Sequence, residues 1–343
     1  MLGSVRNRLM LKLWRLRYND IWYRARINKI LRLDAREKKA RGIKRTVRLI
    51  SNFPGLWQRT IQQTPHGSCQ WRGTLFVAEG AADHYVILNS IHDASGGPLY
   101  PKLVLPEPRQ VWGLHMEPDE YVRLLKYDSP TEHALVSRFY TNCTSLLKLG
   151  GIYRPSPPYV HFLTGKSWDF LAAAPPPRKR IKLGIITSDL NDIEGHKQRQ
   201  RFLEELDASE IDCVIWGRGA GLKRFRKYRG FALNKWDVHA QCRYSIVIEN
   251  STSDWYWSEK VADALLGYSL PLYHGCIELG RFLPAASFLP ININERGCID
   301  HIRQILQADP YIERLPAIET ARELLLNNEN LYAFLDRELE HMS

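Results

Sequence analysis

The segment Tyr244-Ser-Ile-Val-Ile248, Glu249-Asn250-Ser251, Tyr256-Trp-Ser258-Glu259-Lys260, Leu270-Pro-Leu-Tyr273, Gly275 decides the fold class. Its first five residues form a β-branched apolar run, the pattern of a strand buried on both faces. The run then delivers a carboxylate, an amide and a hydroxyl in succession. Ser258-Glu259 open a helix over 257–267, with apolar Val261, Leu265 and Tyr268 recurring at i, i+4 and i+7. A second strand, Leu270 to Tyr273, closes the unit at Gly275. Polar groups at the carboxyl end of a strand and at the next helix start occupy the place where open α/β sheets bind ligands. A helix amino end favours anions, and Lys260 adds a positive charge there. In outline this is a nucleotide-diphosphate site.

Strand and helix alternate throughout the neighbourhood: Leu183–Thr187, a helix over 197–207, Ile211–Trp216, then the unit just described. That order predicts a parallel, doubly wound sheet over 181–310. Residues 49–171 read as a separate α/β domain, with Thr74–Ala78, Tyr85–Leu88 and Gln110–His115 as strands ending in polar or Gly-containing loops. Between them, 172–180 (Ala-Ala-Ala-Pro-Pro-Pro-Arg178-Lys179-Arg180) reads as a stiff linker, because consecutive prolines exclude helix. Residues 311–343 read as acidic C-terminal helices with Leu324, Leu325, Leu331 and Leu335 as core contacts.

A chain of 343 residues is long enough for two domains with their own cores. Its net charge of +11 is uneven. Residues 1–48 hold 16 Lys/Arg against 3 acids, which leaves 32 against 34 in the remainder. The body is neutral and the basicity belongs to one arm. Val5, Leu9, Leu13 and Leu16 share one helical face of that arm, as in a helix lying on an anionic membrane surface; a hairpin packed on the body is the competing reading. No nucleic-acid module accompanies the arm, so no nucleic-acid partner is expected. No apolar run reaches transmembrane length, and the N-terminus lacks the pattern of a signal peptide. The six cysteines are scattered without a CxxC pair, the usage of a reducing cytoplasm. The expected location is cytoplasmic, peripheral to the inner membrane face if the arm binds lipid.

The motif set resembles family 10 glycosyltransferases, the α1,3/α1,4-fucosyltransferases. It comprises Glu249-Asn250-Ser251, Tyr256-x-Ser258-Glu259-Lys260, Ala264-Leu265-Leu266, Leu270-Pro271-Leu272, Gly275 and Phe282-Leu-Pro284-Ala-Ala-Ser287-Phe288, with no gap in spacing. The resemblance spans roughly residues 105–295. Two positions depart from the pattern: Trp255 stands where the family has Asp, and Tyr268 where it has Gly, both expected at the rim of a donor pocket. The resemblance implies an α/β fold of GT-B type, two Rossmann-like domains facing across a cleft. It implies inverting transfer of fucose from GDP-fucose to a glycan hydroxyl.

Such a transfer needs a general base for the acceptor hydroxyl and cations for the leaving diphosphate. Glu117 follows an apolar strand and precedes Pro118, matching the family's catalytic Glu-before-Pro element; a carboxylate in the first turn of a helix is the competing reading. Arg199 and Lys260 are the expected diphosphate pair, a planar fork and a point charge. Glu249, Asn250, Ser251 and Glu259 supply hydrogen bonds to ribose, base or sugar, the resemblance giving ribose to Glu259, and Tyr256 offers a ring surface to the nucleotide. A polar cap on the following turn competes for Glu249 and Asn250. The Gly217-Arg-Gly219-Ala-Gly221 stretch suggests a phosphate cradle only weakly. No paired-carboxylate metal motif is present, so no obligatory cofactor is expected and a divalent cation would at most stimulate. A relative using another nucleotide sugar, or a non-catalytic glycan- or polyanion-binding protein, are the other functional readings.

Overall fold

The computed structural model describes residues 29, 30, 32–51, 55–92, 105–159 and 162–341. The apolar face of the basic arm, Val5 to Leu16, lies outside these residues. The chain forms two compact units, each built on a mostly parallel sheet with helices, the two Rossmann-like modules expected of a GT-B protein.

In the N-terminal unit the strands are β1 (Arg45–Ser51), β2 (Gln70–Trp71), β3 (Thr74–Val77), β4 (His84–Leu88), β5 (Val111–Leu114), β6 (Arg138–Thr141) and β7 (Tyr153–Pro155). They lie in the order β2-β3-β1-β4-β5-β6-β7, with β2 alone antiparallel. Reversal of strand order between β1 and β4 makes their carboxyl ends the topological switch point of this sheet. The central strands carry Val47, Leu49, Phe76, Val86, Trp112 and Leu114 into one buried cluster. The first strand starts at Arg45, three residues inside the segment read as an arm.

The last helix, Leu331–Glu340, belongs to this unit. Tyr332 donates to Thr60 Oγ1 at 3.1 Å and meets Phe76 edge-on, while Asp336 Oδ1 accepts from Thr74 at 2.5 Å. The preceding helix, Tyr311–Asn327, stays with the C-terminal unit. The 311–343 segment therefore divides between the two units instead of forming one piece.

The C-terminal unit contains β8 (Ile181–Ser188), β9 (Val214–Arg218), β10 (Tyr228–Gly230), β11 (Cys242–Ile248), β12 (Leu270–His274) and β13 (Leu289–Pro290). Their order is β10-β9-β8-β11-β12-β13, all parallel: the third-second-first-fourth-fifth-sixth arrangement of a dinucleotide fold. Leu183, Ile185, Ile215, Ile246 and Leu272 fill its centre, covered by Phe202, Leu203 and Leu206 from the Glu194–Ala208 helix and Val261 and Leu265 from the Glu259–Leu266 helix. Each such buried side chain contributes about 1.5–3 kcal/mol relative to exposure.

The proline stretch does not join the units. It lies within the C-terminal unit, where Ala174 O accepts from Tyr268 and the Lys179 ammonium donates to His239 O and Gly267 O. The chain changes unit on either side of Phe162–Lys166, after Asp169 and after Glu329. Tyr268 is likewise not at a pocket rim. It is buried at the amino edge of the sheet, just before β12, with the Arg322 guanidinium 3.7 Å over its ring. A tyrosine there anchors the Tyr311–Asn327 helix.

Candidate active site

At the switch point of the C-terminal sheet, β8 ends in Thr187-Ser188 and β11 ends at Ile248, delivering Glu249-Asn250. Arg199, one turn into the Glu194–Ala208 helix, bridges the two ends. Its Nη1 donates to Asn250 Oδ1 at 2.9 Å and its Nη2 to Ser188 Oγ at 3.4 Å. Gly195 permits this approach: a Cβ there would stand 2.0 Å from Asn250 O. His196 lies beside the bridge, its imidazole held neutral, down to about 4, by burial and by the Arg199 charge.

Lys260 sits in the first turn of the Glu259–Leu266 helix, whose cap is Ser258. Its ammonium donates to Ser258 Oγ at 2.9 Å and to Glu249 Oε2 at 3.2 Å, and lies 3.8 Å from Glu259 Oε1. Burial disfavours this charge, but Glu249 and Glu259 outweigh it and raise the ammonium's pKa.

The Glu249 carboxylate is enclosed by its own chain. The residue is 2 % exposed, with Oε1 accepting from the Ser258 amide at 2.9 Å and Oε2 from the Ser258 hydroxyl at 2.5 Å as well as from Lys260. It thus bonds to the cap of the Glu259–Leu266 helix, nine residues on, rather than to the turn that follows it. Gly275 makes room, since a Cβ there would lie 2.5 Å from Glu249 Cγ. Tyr256 is buried at 2 % exposure, so its ring belongs to the packing rather than offering a surface; its amide donates to Ser253 Oγ at 3.1 Å. Ser251 is half-buried in the turn beyond Asn250. Trp255, the other departure from the family pattern, is half-buried in the carboxyl-edge loop, edge-on to Phe282 and 5.6 Å from the Arg281 guanidinium.

Two charged residues join this site that no motif singled out. Lys235, from the Lys235–His239 helix, lies 2.9 Å from Asp263 Oδ2 and 3.4 Å from Glu259 Oε1. Asp263 is fully buried, its Oδ1 accepting from the Leu163 amide at 2.6 Å. Two carboxylates thus share one ammonium, and their environments separate them. Burial raises Asp263 to about 6. Glu259 also pays for burial, yet Lys260 and Lys235 together hold it down to about 2. An acid inside an otherwise apolar helical run, Val261-Ala262-Asp263-Ala264-Leu265, was the signal for Asp263; Lys235 is joined to it only by the fold.

The glycine stretch is no open cradle. Asp189, following β8, fills it: Gly221 donates to Asp189 Oδ2 at 2.9 Å, and a Cβ on Gly219 (φ +131°) would strike the same carboxylate.

Glu117 stands on the N-terminal unit, half-buried after β5. The Met116 amide donates to Asn89 Oδ1 at 2.6 Å, and Asn142 Nδ2 to Glu117 O at 3.0 Å, so its backbone is tied to the loops after β4 and β6. Pro118 is the cap of the Asp119–Leu124 helix. Glu117 therefore precedes the helix, and the first-turn acids are Asp119 and Glu120.

No family model matches the chain, and no curated protein matches it. Solved structures similar to it include an α1,3-fucosyltransferase (14% identity, 84% of this chain and 91% of that one, TM-score 0.49). A DNA-modifying β-glucosyltransferase is similar over 86% of this chain and 98% of its own at 10% identity and a TM-score of 0.46. A UDP-forming α,α-trehalose-phosphate synthase from Burkholderia xenovorans is similar over 76% of this chain and 73% of its own, at 11% identity and a TM-score of 0.47.

Proposed function

We propose that the protein is an inverting glycosyltransferase that moves fucose from GDP-fucose to a glycan hydroxyl. The observation that carries the reading is the Arg199 bridge between Ser188 and Asn250 at the switch point, with the Lys260 ammonium on the same carboxyl edge. Cationic side chains beside a helix start at that edge suit a nucleoside diphosphate. Arg199 and Lys260 would hold the diphosphate, with Asn250, Ser251 and Glu259 serving the rest of the donor. Glu249 would act indirectly, by fixing Ser258 and Lys260.

In the proposed reaction the acceptor oxygen attacks the sugar's anomeric carbon as the carbon–oxygen bond to the diphosphate breaks. Glu117 takes the acceptor proton, and GDP leaves with its added charge stabilised by Arg199 and Lys260. Thermal-shift titration with GDP, UDP, CMP, GDP-fucose and GDP-mannose tests the donor, and a glycan panel with the winning donor tests transfer. Protection by GDP and GDP-fucose but not by UDP is expected. Equal protection by UDP would remove the donor assignment.

A further inference from the structure

The charge balance of this site turns on Lys235. Glu259 Oε1 is shared between two cations: it lies 3.4 Å from the Lys235 ammonium and 3.8 Å from that of Lys260. Lys260 already has a carboxylate of its own, Glu249 at 3.2 Å. A second carboxylate at that range would cancel its charge toward any incoming anion. Lys235 in turn is fixed, because its other partner, Asp263, is fully buried and bound to the Leu163 amide. Glu259 retains some freedom; its side chain is 19% exposed.

We propose that Lys235 is a positioning residue of the diphosphate site, drawing Glu259 away from Lys260 and so keeping the Lys260 ammonium available to a nucleoside diphosphate. The inference rests on the nucleotide-binding reading above. A carboxylate held between two cations relaxes onto the remaining one when the other is removed. The consequence falls on the phosphates and not on the nucleoside.

Calorimetric titration of the full chain with GDP and with guanosine tests this. In K235M the GDP affinity should fall about tenfold, the scale of coupling between contacting charges, while guanosine affinity is unchanged. In an E259Q background, where no charge is left to transfer, adding K235M should change GDP affinity less than about threefold. Equal losses in both backgrounds would mean that Lys235 touches the phosphate or only supports the fold, and would overturn the proposal. A parallel loss for guanosine would point to ribose orientation and overturn it too. If K235M fails to fold because Asp263 is left without its cation, the comparison is made between D263N and K235M/D263N, which keep an acceptor for Leu163. Wild-type protein that binds no nucleoside diphosphate overturns the functional reading. Wild-type binding with an unaltered K235M overturns this inference alone.

Discussion

Replacing Glu249 by Gln separates a capping role from a ligand-binding role. The carboxylate holds the Ser258 amide, the Ser258 hydroxyl and the Lys260 ammonium, at 2.9, 2.5 and 3.2 Å. A glutamine keeps the shape and one acceptor oxygen but removes the charge opposite Lys260. Breaking a buried ion pair from one side costs about 3–5 kcal/mol. Lys260 retains 23% side-chain exposure, so water relieves part of that. About 2–4 kcal/mol remains, and at about 2–4 °C per kcal/mol for a unit of this size the melting temperature should fall by about 5–15 °C. Scanning calorimetry on ligand-free protein reads this directly. GDP affinity should fall as well, through a displaced Lys260. A melting temperature unchanged within about one degree, with GDP affinity lost, would refute the reasoning, because Glu249 would then act on the ligand itself.

Lys260→Ala should weaken GDP by about 1.5–3 kcal/mol, one charge-assisted contact, in the same titration. Glu117→Gln should keep GDP binding while transfer falls about 10²–10⁴-fold in an initial-rate assay; parallel loss of nucleotide affinity would give Glu117 a folding role. Asp263, raised from 3.8 to about 6, binds its proton more tightly folded than unfolded, so its contribution to stability is present below the unfolded value and is lost as pH rises through about 6. D263N should therefore gain stability relative to wild type between those pH values, by up to about 3 kcal/mol, in denaturation midpoints taken across the range. Deleting residues 1–48 removes a balance of 16 basic against 3 acidic residues and the first part of β1. A deletion that stops before Lys29, and so keeps Ile30, Leu33 and Ile43 on the Ile61, Leu75 and Val77 cluster, should spare transfer to soluble acceptors and abolish sedimentation with anionic liposomes, whereas a misfolded product would mean that the deleted arm is packed structure too.

Four of the six strands described in the C-terminal unit and three of the seven in the N-terminal unit were legible, because buried parallel strands are near-continuous apolar runs, as in Tyr244–Ile248 and Tyr85–Leu88. The start of the Arg199 helix was not: the expected helix began at 197, whereas it begins at Glu194 and includes Gly195, where a Cβ would collide with Asn250 O. Nor does local pattern say which unit a helix joins. Tyr311–Asn327 and Leu331–Glu340 are close in sequence, yet one docks on Tyr268 and the other on Thr60, Thr74 and Phe76. Motif spacing picked out Arg199, Glu249, Asn250, Glu259 and Lys260 together, but it could not say that the Glu249 carboxylate is enclosed by Ser258 and Lys260 while Glu259 keeps a partly exposed side chain. The ion pair from Glu259 to Lys235 depends on how the Lys235–His239 helix packs, which is not a property of residue type.

The cations at the switch point are not bare. Arg199, Lys235 and Lys260 stand against Glu249, Glu259 and Asp263, with Asp263 near 6 and so taking a proton well before Glu259 as pH falls. Such balance keeps a partly buried cluster from carrying an uncompensated charge in the empty protein, which would cost several kcal/mol. It also means that a diphosphate binding here would exchange partners with a resident carboxylate. Glu249 is ill suited to yield, being enclosed by Ser258 and Gly275. Glu259 is better placed: it is more exposed, lies farther from Lys260, and has a second cation to turn to. Binding by partner exchange makes the affinity for phosphate depend on a residue that need never touch it, and places Lys235 within the same electrostatic unit as Lys260.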